Sequence, residues 1–115
     1  MNVLSDVVTI HQNTDFRRVY GRGKSCTSPA LVVYCLKNRA GVCRIGITTS
    51  KKLGGAVERN RCRRVIKEAY RHLRPQCIGG WDIVFVARFK TLRLKTGEVE
   101  KMMHTQLRQM GVIPA

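Results

Sequence analysis

The stretch between Gly54-Gly55 and Pro75 limits the fold most tightly. Within it Cys62, Val65, Ile66, Ala69 and Leu73 recur at i, i+3, i+4, i+7 and i+11, the spacing of one helix face. The glycine pair breaks the run before it, and the proline stops the helix after Arg74. At ~100° per residue, Asn60, Arg63, Arg64, Lys67, Arg71 and Arg74 fall on the opposite side. An apolar stripe of this kind must be covered by a sheet or another helix. The basic side needs a different partner.

From Thr48 to Arg74 the chain carries nine of its 22 Lys and Arg residues but only two of its seven acids. A face built for solubility interleaves signs, because like charges at i, i+3 and i+4 repel. Here Glu68 lies off the basic line. Arg outnumbers Lys, and its planar fork suits bidentate phosphate contacts. Asn60 is a poor helix former in a helix interior, yet its amide can donate and accept beside the guanidinium groups. A solvated face is the ordinary explanation of a charged stripe, and these features outweigh it. The stripe is expected to meet a polyanion.

The net charge of +15 and pI near 10.6 extend that expectation to the whole molecule: nucleic acid or an anionic membrane. No apolar run approaches the ~20 residues that span a bilayer. The opening MNVLSDVVTIHQ lacks a basic n-region, and Ser5, Asp6 and Thr9 interrupt its apolar residues, unlike a signal peptide. A cytoplasmic protein is expected, folded as a single domain over residues 1–115. Cys26, Cys35, Cys43, Cys62 and Cys77 include no C-x-x-C pair, and no His lies at zinc-finger spacing. Cys35, Cys43 and Cys62 read as small core residues. His11, His72 and His104 read as ordinary surface or interfacial residues.

Residues 1–12 show no clear pattern, so an edge strand and a loose end both fit. Asn13 or Thr14 can then cap a short helix that Gly21 or Gly23 stops, with Asp15 at its positive end. Phe16, Val19 and Tyr20 share one face of it. From spacing alone, Phe16 and Tyr20 suit packing on a sheet and stacking of unpaired bases equally well, with Arg17, Arg18, Arg22 and Lys24 near for phosphates. Ala30 to Leu36 and Val42 to Thr49 are β-favouring, and the Asn38-Arg39-Ala40-Gly41 turn between them reads as an antiparallel hairpin. Tyr34 fits either core or groove. Gly46 inside a strand signals close approach or a bulge. The unbroken apolar run Ile83 to Ala87 reads as a central strand covered on both faces. A basic loop through Arg88, Lys90, Arg93 and Lys95 leads to a last helix, capped by Thr96, with Val99, Met102, Met103, Leu107 and Met110 inward. The predicted order α-β-β-α-β-α makes an α+β fold, a small two-layer sandwich on one mixed sheet.

The run Ser50-Lys51-Lys52-Leu53-Gly54-Gly55-Ala56-Val57-Glu58-Arg59-Asn60-Arg61-Cys62-Arg63-Arg64 closely resembles the signature of the bacterial ribonuclease P protein family. The family's RNR motif is matched by Arg59-Asn60-Arg61. The order of SKK, Gly, Ala-Val, RNR and two further basic residues makes chance coincidence remote, and the likeness extends over about residues 13–110. Departures are the less basic first dozen residues, the lack of a long basic tail, and Arg63 where many relatives have Lys.

The resemblance implies the same α+β architecture, with a left-handed crossover around the basic helix in place of the usual right-handed one. It implies a cleft between sheet and first helix for the single-stranded 5′ leader of precursor tRNA, lined by Phe16, Arg17, Tyr20 and Tyr34. The RNR helix and its approach, Lys51, Lys52, Arg59, Asn60, Arg61, Arg63, Arg64, Lys67 and Arg71, would instead grip the ribonuclease P RNA. That RNA would perform the hydrolysis with Mg2+ that it mainly holds itself. The chain would then carry no catalytic or metal-binding residues of its own, need no membrane and need no obligate protein partner. A ribosomal or other structural RNA-binding protein shares the charge but has no reason to match the signature. A helix-turn-helix DNA binder would need a helix where Ile45 to Ser50 reads as strand.

Overall fold

The computed structural model describes residues 7–114. In chain order its elements are β1 (Val8–Thr9), α1 (Asn13–Arg22), β2 (Lys24–Thr27), β3 (Leu31–Lys37), β4 (Arg44–Thr48), α2 (Ala56–Leu73), β5 (Trp81–Ala87) and α3 (Thr96–Gln109). Short 3-10 turns follow β4, α2 and β5. The five strands form one mixed sheet in the order β1-β4-β5-β3-β2. Of the dozen N-terminal residues, Val8 and Thr9 supply an edge strand, while the first six lie outside the described residues.

The apolar run of β5 decides the topology. A strand buried on both faces needs a bonded neighbour on each edge, and β5 finds β3 antiparallel on one side and β4 parallel on the other. The expected β3–β4 hairpin is therefore absent. The turn at residues 38–41 reverses the chain but leaves one strand's width, and Asn38 N–H bonds Gly80 C=O where β5 enters it. Strand β2, not foreseen, pairs antiparallel with β3 from Lys24↔Cys35 to Thr27↔Val32. Its KSCT sequence is mostly exposed, so no apolar alternation announces it.

Alternation sorts the side chains to two faces. Leu31, Val33 and Cys35 of β3 and Ile83, Phe85 and Ala87 of β5 enter the main core under α2 and α3. There the predicted stripe of α2 is buried throughout, joined by Tyr70, whose ring lies 5.7 Å from that of Phe85. Burying each such side chain is worth ~1.5–3 kcal/mol, so packing holds this Arg-rich helix in place. On the other face, Val19 of α1 meets Val84 and Ile10, with Phe16, Tyr34, Leu36 and Val86 around them. Helix α1 thus adds a partial third layer to the sandwich.

Two caps differ from expectation. Neither Asn13 nor Thr14 caps α1; Gln12 occupies that position, and its side chain makes no capping bond to the helix backbone. Lys95, not Thr96, precedes α3, and its N–H donates to the Glu98 carboxylate at 3.1 Å. That bond satisfies the backbone donor of the N-cap residue, the reach-back half of a capping box.

Candidate RNA interface

The approach to α2 is built tightly. Ser50 Oγ accepts from Lys52 N–H at 3.1 Å and starts a turn that buries Leu53 while leaving Lys51 and Lys52 exposed. Gly54 follows at φ 138°, a conformation open to glycine and strained for other residues. Helix α2 then projects Asn60, Arg63 and Arg64 into solvent, with Arg59 and Lys67 half-buried. Arg59 Nε reaches back to Gly55 C=O at 3.4 Å, and Arg63 donates to Ile47 C=O at 3.1 Å, across to β4. Asn60, Arg64 and Lys67 make no side-chain hydrogen bond among the described residues.

Two further members of the expected RNA-gripping set, Arg61 and Arg71, each make two bonds to the protein itself. Arg61 points away from the stripe, donating to Leu92 C=O at 2.9 Å and Leu94 C=O at 3.2 Å in the turn after β5. Arg71 forks onto Glu68, whose carboxyl is held below its ordinary range first by that hydrogen bond. Glu68 is thus no bystander to the basic line: it neutralises the line's C-terminal end. Beside it, His72 Nδ1 meets Glu100 at 2.7 Å, tying α2 to α3.

The three aromatic candidates converge on the α1 face of the sheet. The Tyr20 ring stands edge-on to Tyr34 at 4.9 Å and lies 6.5 Å from Phe16, and the Tyr20 hydroxyl is 2.8 Å from Thr48 Oγ1. Phe16 rests directly on Gly46, where a Cβ would fall 2.5 Å from the ring. Close approach, not a bulge, explains the glycine in β4. Tyr20 is 39% exposed and Phe16 and Tyr34 are half-buried, so part of each ring remains available. Arg17 is exposed nearby.

An acid that sequence reasoning passed over positions this helix. Asp82, buried in β5, accepts from Arg44 Nε and Nη2 and from Asn38 Nδ2, each at 2.8 Å, and from Arg18 of α1 at 3.2 Å. Burial pushes its carboxyl upward, but the bonds from Arg44, Asn38 and Arg18 outweigh it and leave the pKa below 3.8. The one readable sign was an acid at the mouth of an apolar strand.

These pieces meet in one groove. A cleft of about 730 Å³ at the β1–β4 edge is lined by Phe16, Gly46, Asn60, Arg63, Arg64 and Lys67, among others. One aromatic of the leader set and four residues of the RNA-gripping set therefore line one groove, where two separate faces were expected. A second basic cleft of about 700 Å³ gathers Ser50, Lys52, Arg88, Lys90 and the 65%-exposed Phe89. Cations, amides and ring faces in grooves of this width suit an unpaired polynucleotide strand.

Comparison with known proteins agrees. A family model described as Ribonuclease P matches residues 4–111. The chain belongs to the ribonuclease P protein family. The ribonuclease P protein component of Clostridioides difficile is 39% identical over 104 residues, covering 90% of this chain and 91% of that one. That of Clostridium kluyveri is 45% identical over 87 residues, 72% of this chain and 76% of its own. In three dimensions, the ribonuclease P protein of Staphylococcus aureus aligns with a TM-score of 0.83 at 31% identity, covering 93% and 98% of the two chains. For the ribonuclease P protein of Thermotoga maritima the TM-score is 0.78 at 28% identity, with 87% and 96% covered.

Proposed function

We propose that this chain acts as the RNA-binding subunit of a ribonuclease P holoenzyme, an endonuclease that trims the 5′ leader from precursor tRNA. Its partner is the ribonuclease P RNA. The observation that carries the finer reading is the shared groove, where Phe16 stands opposite Asn60, Arg64 and Lys67. In this reading a leader base stacks on Phe16, with Tyr20, Tyr34 and Arg17 extending the path, at ~1–3 kcal/mol per stacked base. Lys51, Lys52, Arg59, Arg63, Arg64 and Lys67 neutralise phosphates of the catalytic RNA, whose repulsion would otherwise oppose assembly. Each phosphate so neutralised adds about −0.7 to the log–log salt slope on single strands.

Hydrolysis in this reading belongs to the RNA subunit, with Mg2+ held by its phosphates. The protein offers that ion little: Asp15, Glu68, Asp82 and Glu100 are engaged by Arg or His side chains. Among the described residues, no group of three or more His, Cys, Asp and Glu is placed to hold a metal. No helix among them is long and apolar enough to cross a membrane, and we place the protein in the cytoplasm with its substrate.

Single-turnover cleavage of labelled precursor tRNA at low Mg2+ tests the reading, with protein alone, ribonuclease P RNA alone, and both. Strong cleavage only with both is expected, and Phe16→Ala should weaken affinity for leader-bearing precursor far more than for mature tRNA. Cleavage by protein alone would overturn the division of labour. A protein without effect on the RNA would make it a structural RNA binder, and equal losses for both tRNAs would return Phe16 to the core.

A further inference from the structure

At the end of the sheet where β4 and β5 begin, a small cleft of about 280 Å³ lies between the turn after β3 and the turn after α2. Cys43, Cys77 and Arg74 line it, and the RNA-binding reading gives the two thiols no role. Sequence patterning made Cys43 a core residue, yet both thiols are free and only half-buried. Both open onto the same cleft, close enough for each to shift the other's ionisation. The Cys77 thiol also lies 3.6 Å from Leu73 C=O and the Cys43 thiol 3.6 Å from Gly79 C=O. Under them the Tyr70 hydroxyl is fully buried, has no conventional hydrogen-bond partner among the described residues, and faces Cys43.

This environment separates the two sulfurs chemically. The hydrogen bond from Cys77 lowers the Cys43 thiol to about 7 against the effect of burial, helped by the Trp81 N–H, the Arg74 charge and the Tyr70 hydroxyl. Cys77, which keeps the shared proton, is raised by that same bond and by burial. The remaining cysteines differ: burial raises Cys35 to about 11 and Cys62 above its ordinary value, while half-buried Cys26 donates to Gln109. A partly exposed thiolate with a second thiol in contact is the arrangement of a redox-active pair.

We propose that Cys43 and Cys77 form a reversible oxidation site for hydroperoxides, Cys43 attacking and Cys77 resolving. The Cys43 thiolate takes the distal peroxide oxygen, the O–O bond breaks, and hydroxide leaves with the electron pair. Cys77 sulfur then attacks the Cys43 sulfenic acid, forms the S–S bond and releases the oxygen as water. Two thiols lose two electrons in all, and hydrogen peroxide becomes two waters. A small thiol reductant reverses the reaction, becoming a disulfide itself. The bond would join the entry of β4 to the exit of α2, closing the crossover that carries the basic face.

The reduced full chain is exposed to hydrogen peroxide near neutral pH, blocked with an alkylating reagent, and mapped by mass spectrometry. The expected product has lost two hydrogens, joins the peptides of Cys43 and Cys77, and reverts with dithiothreitol. Cys26→Ser should leave this unchanged. Cys77→Ser should instead accumulate a Cys43 sulfenic acid that dimedone traps. In the untreated wild type, Cys43 should alkylate fastest of the five cysteines, with a pH midpoint near 7. Crosslinks scattered over other cysteines, irreversible Cys43 sulfinic acid without crosslink, or no preference for Cys43 in alkylation would each overturn the proposal.

Discussion

Arg61 is the last residue of the RNR motif, yet its guanidinium serves the fold, and Arg61→Ala should register first as lost stability. Its two sound bonds, to Leu92 C=O at 2.9 Å and Leu94 C=O at 3.2 Å, secure the turn between β5 and α3. A hydrogen bond from a charged donor contributes ~1.5–3 kcal/mol. Arg61 is half-exposed, so water can replace part of that, and the low end applies to each bond. The expected loss is about 2–3 kcal/mol in total. For a domain of this size that lowers the melting midpoint by roughly 10 °C. The assay is a thermal melt followed by far-UV circular dichroism, with Arg61→Lys recovering part of the loss through a single bond. Arg64→Ala, at an exposed residue with no side-chain bond among the described residues, should stay within ~0.5 kcal/mol of wild type. Affinity for ribonuclease P RNA, measured well below the midpoint, should fall more for Arg64→Ala than for Arg61→Ala. An unchanged melt with RNA affinity lost as fully as in Arg64→Ala would refute the reasoning.

Gly46→Ala places a methyl where the Phe16 ring now rests, 2.5 Å from it, and the ring's outer end can swing aside. The fold should lose only about 1 kcal/mol, while the preference for leader-bearing precursor over mature tRNA collapses; a preserved preference would free the groove from Phe16. Asp82→Asn should cost about 2–3 kcal/mol at neutral pH, as buried bonds to Arg44 and Arg18 lose their charged acceptor. Because folding depresses this carboxyl below 3.8, its contribution is complete above that value and disappears as pH falls through the lower folded pKa. The wild type and Asp82→Asn should therefore converge in stability as pH falls below about 3.8, and a gap constant with pH in urea titrations would contradict this. Arg64→Ala should flatten the log–log salt slope of RNA binding by about 0.7, whereas Arg71→Ala, already neutralised by Glu68, should leave it nearly unchanged.

What sequence reasoning reached, and what it missed, divides along periodicity. Helices α2 and α3 and strand β5 are long enough for their apolar spacing to be unambiguous, and each lies where that spacing puts it. Chain neighbours β3 and β4 read as a hairpin because local signals report the turn, not the strand later inserted between them. Only the need of β5 for two bonded edges settles the order, and that is a tertiary fact. Strand β2 escaped because an edge strand with a polar KSCT sequence has no buried side to mark it. At the site, spacing correctly placed Asn60, Arg63 and Arg64 outward, yet angular position alone could not say which cations already had partners. Arg61 meets carbonyls about thirty residues onward and Arg71 meets its own neighbour Glu68, so similar side chains in one motif have different fates.

The groove follows from an unfinished sheet. β1 is two residues long and pairs with β4 only at Arg44 and Ile45, with one further bond from Ile10 N–H to Ile45 C=O. Beyond that point no strand among the described residues lies along the outer edge of β4, and an open edge invites pairing with a foreign chain. Arg63 meets the exposed Ile47 C=O with a charged donor, which blunts the edge without closing it. A full-length first strand would have sealed this edge and filled the space between Phe16 and the basic face of α2. Stopping at two residues leaves a channel with a ring on one wall and Asn60, Arg64 and Lys67 on the other. The edge protection and the cationic wall thus come from the same helix face, with Arg63 reaching the sheet through one guanidinium nitrogen and Arg64 and Lys67 beside it lining the groove.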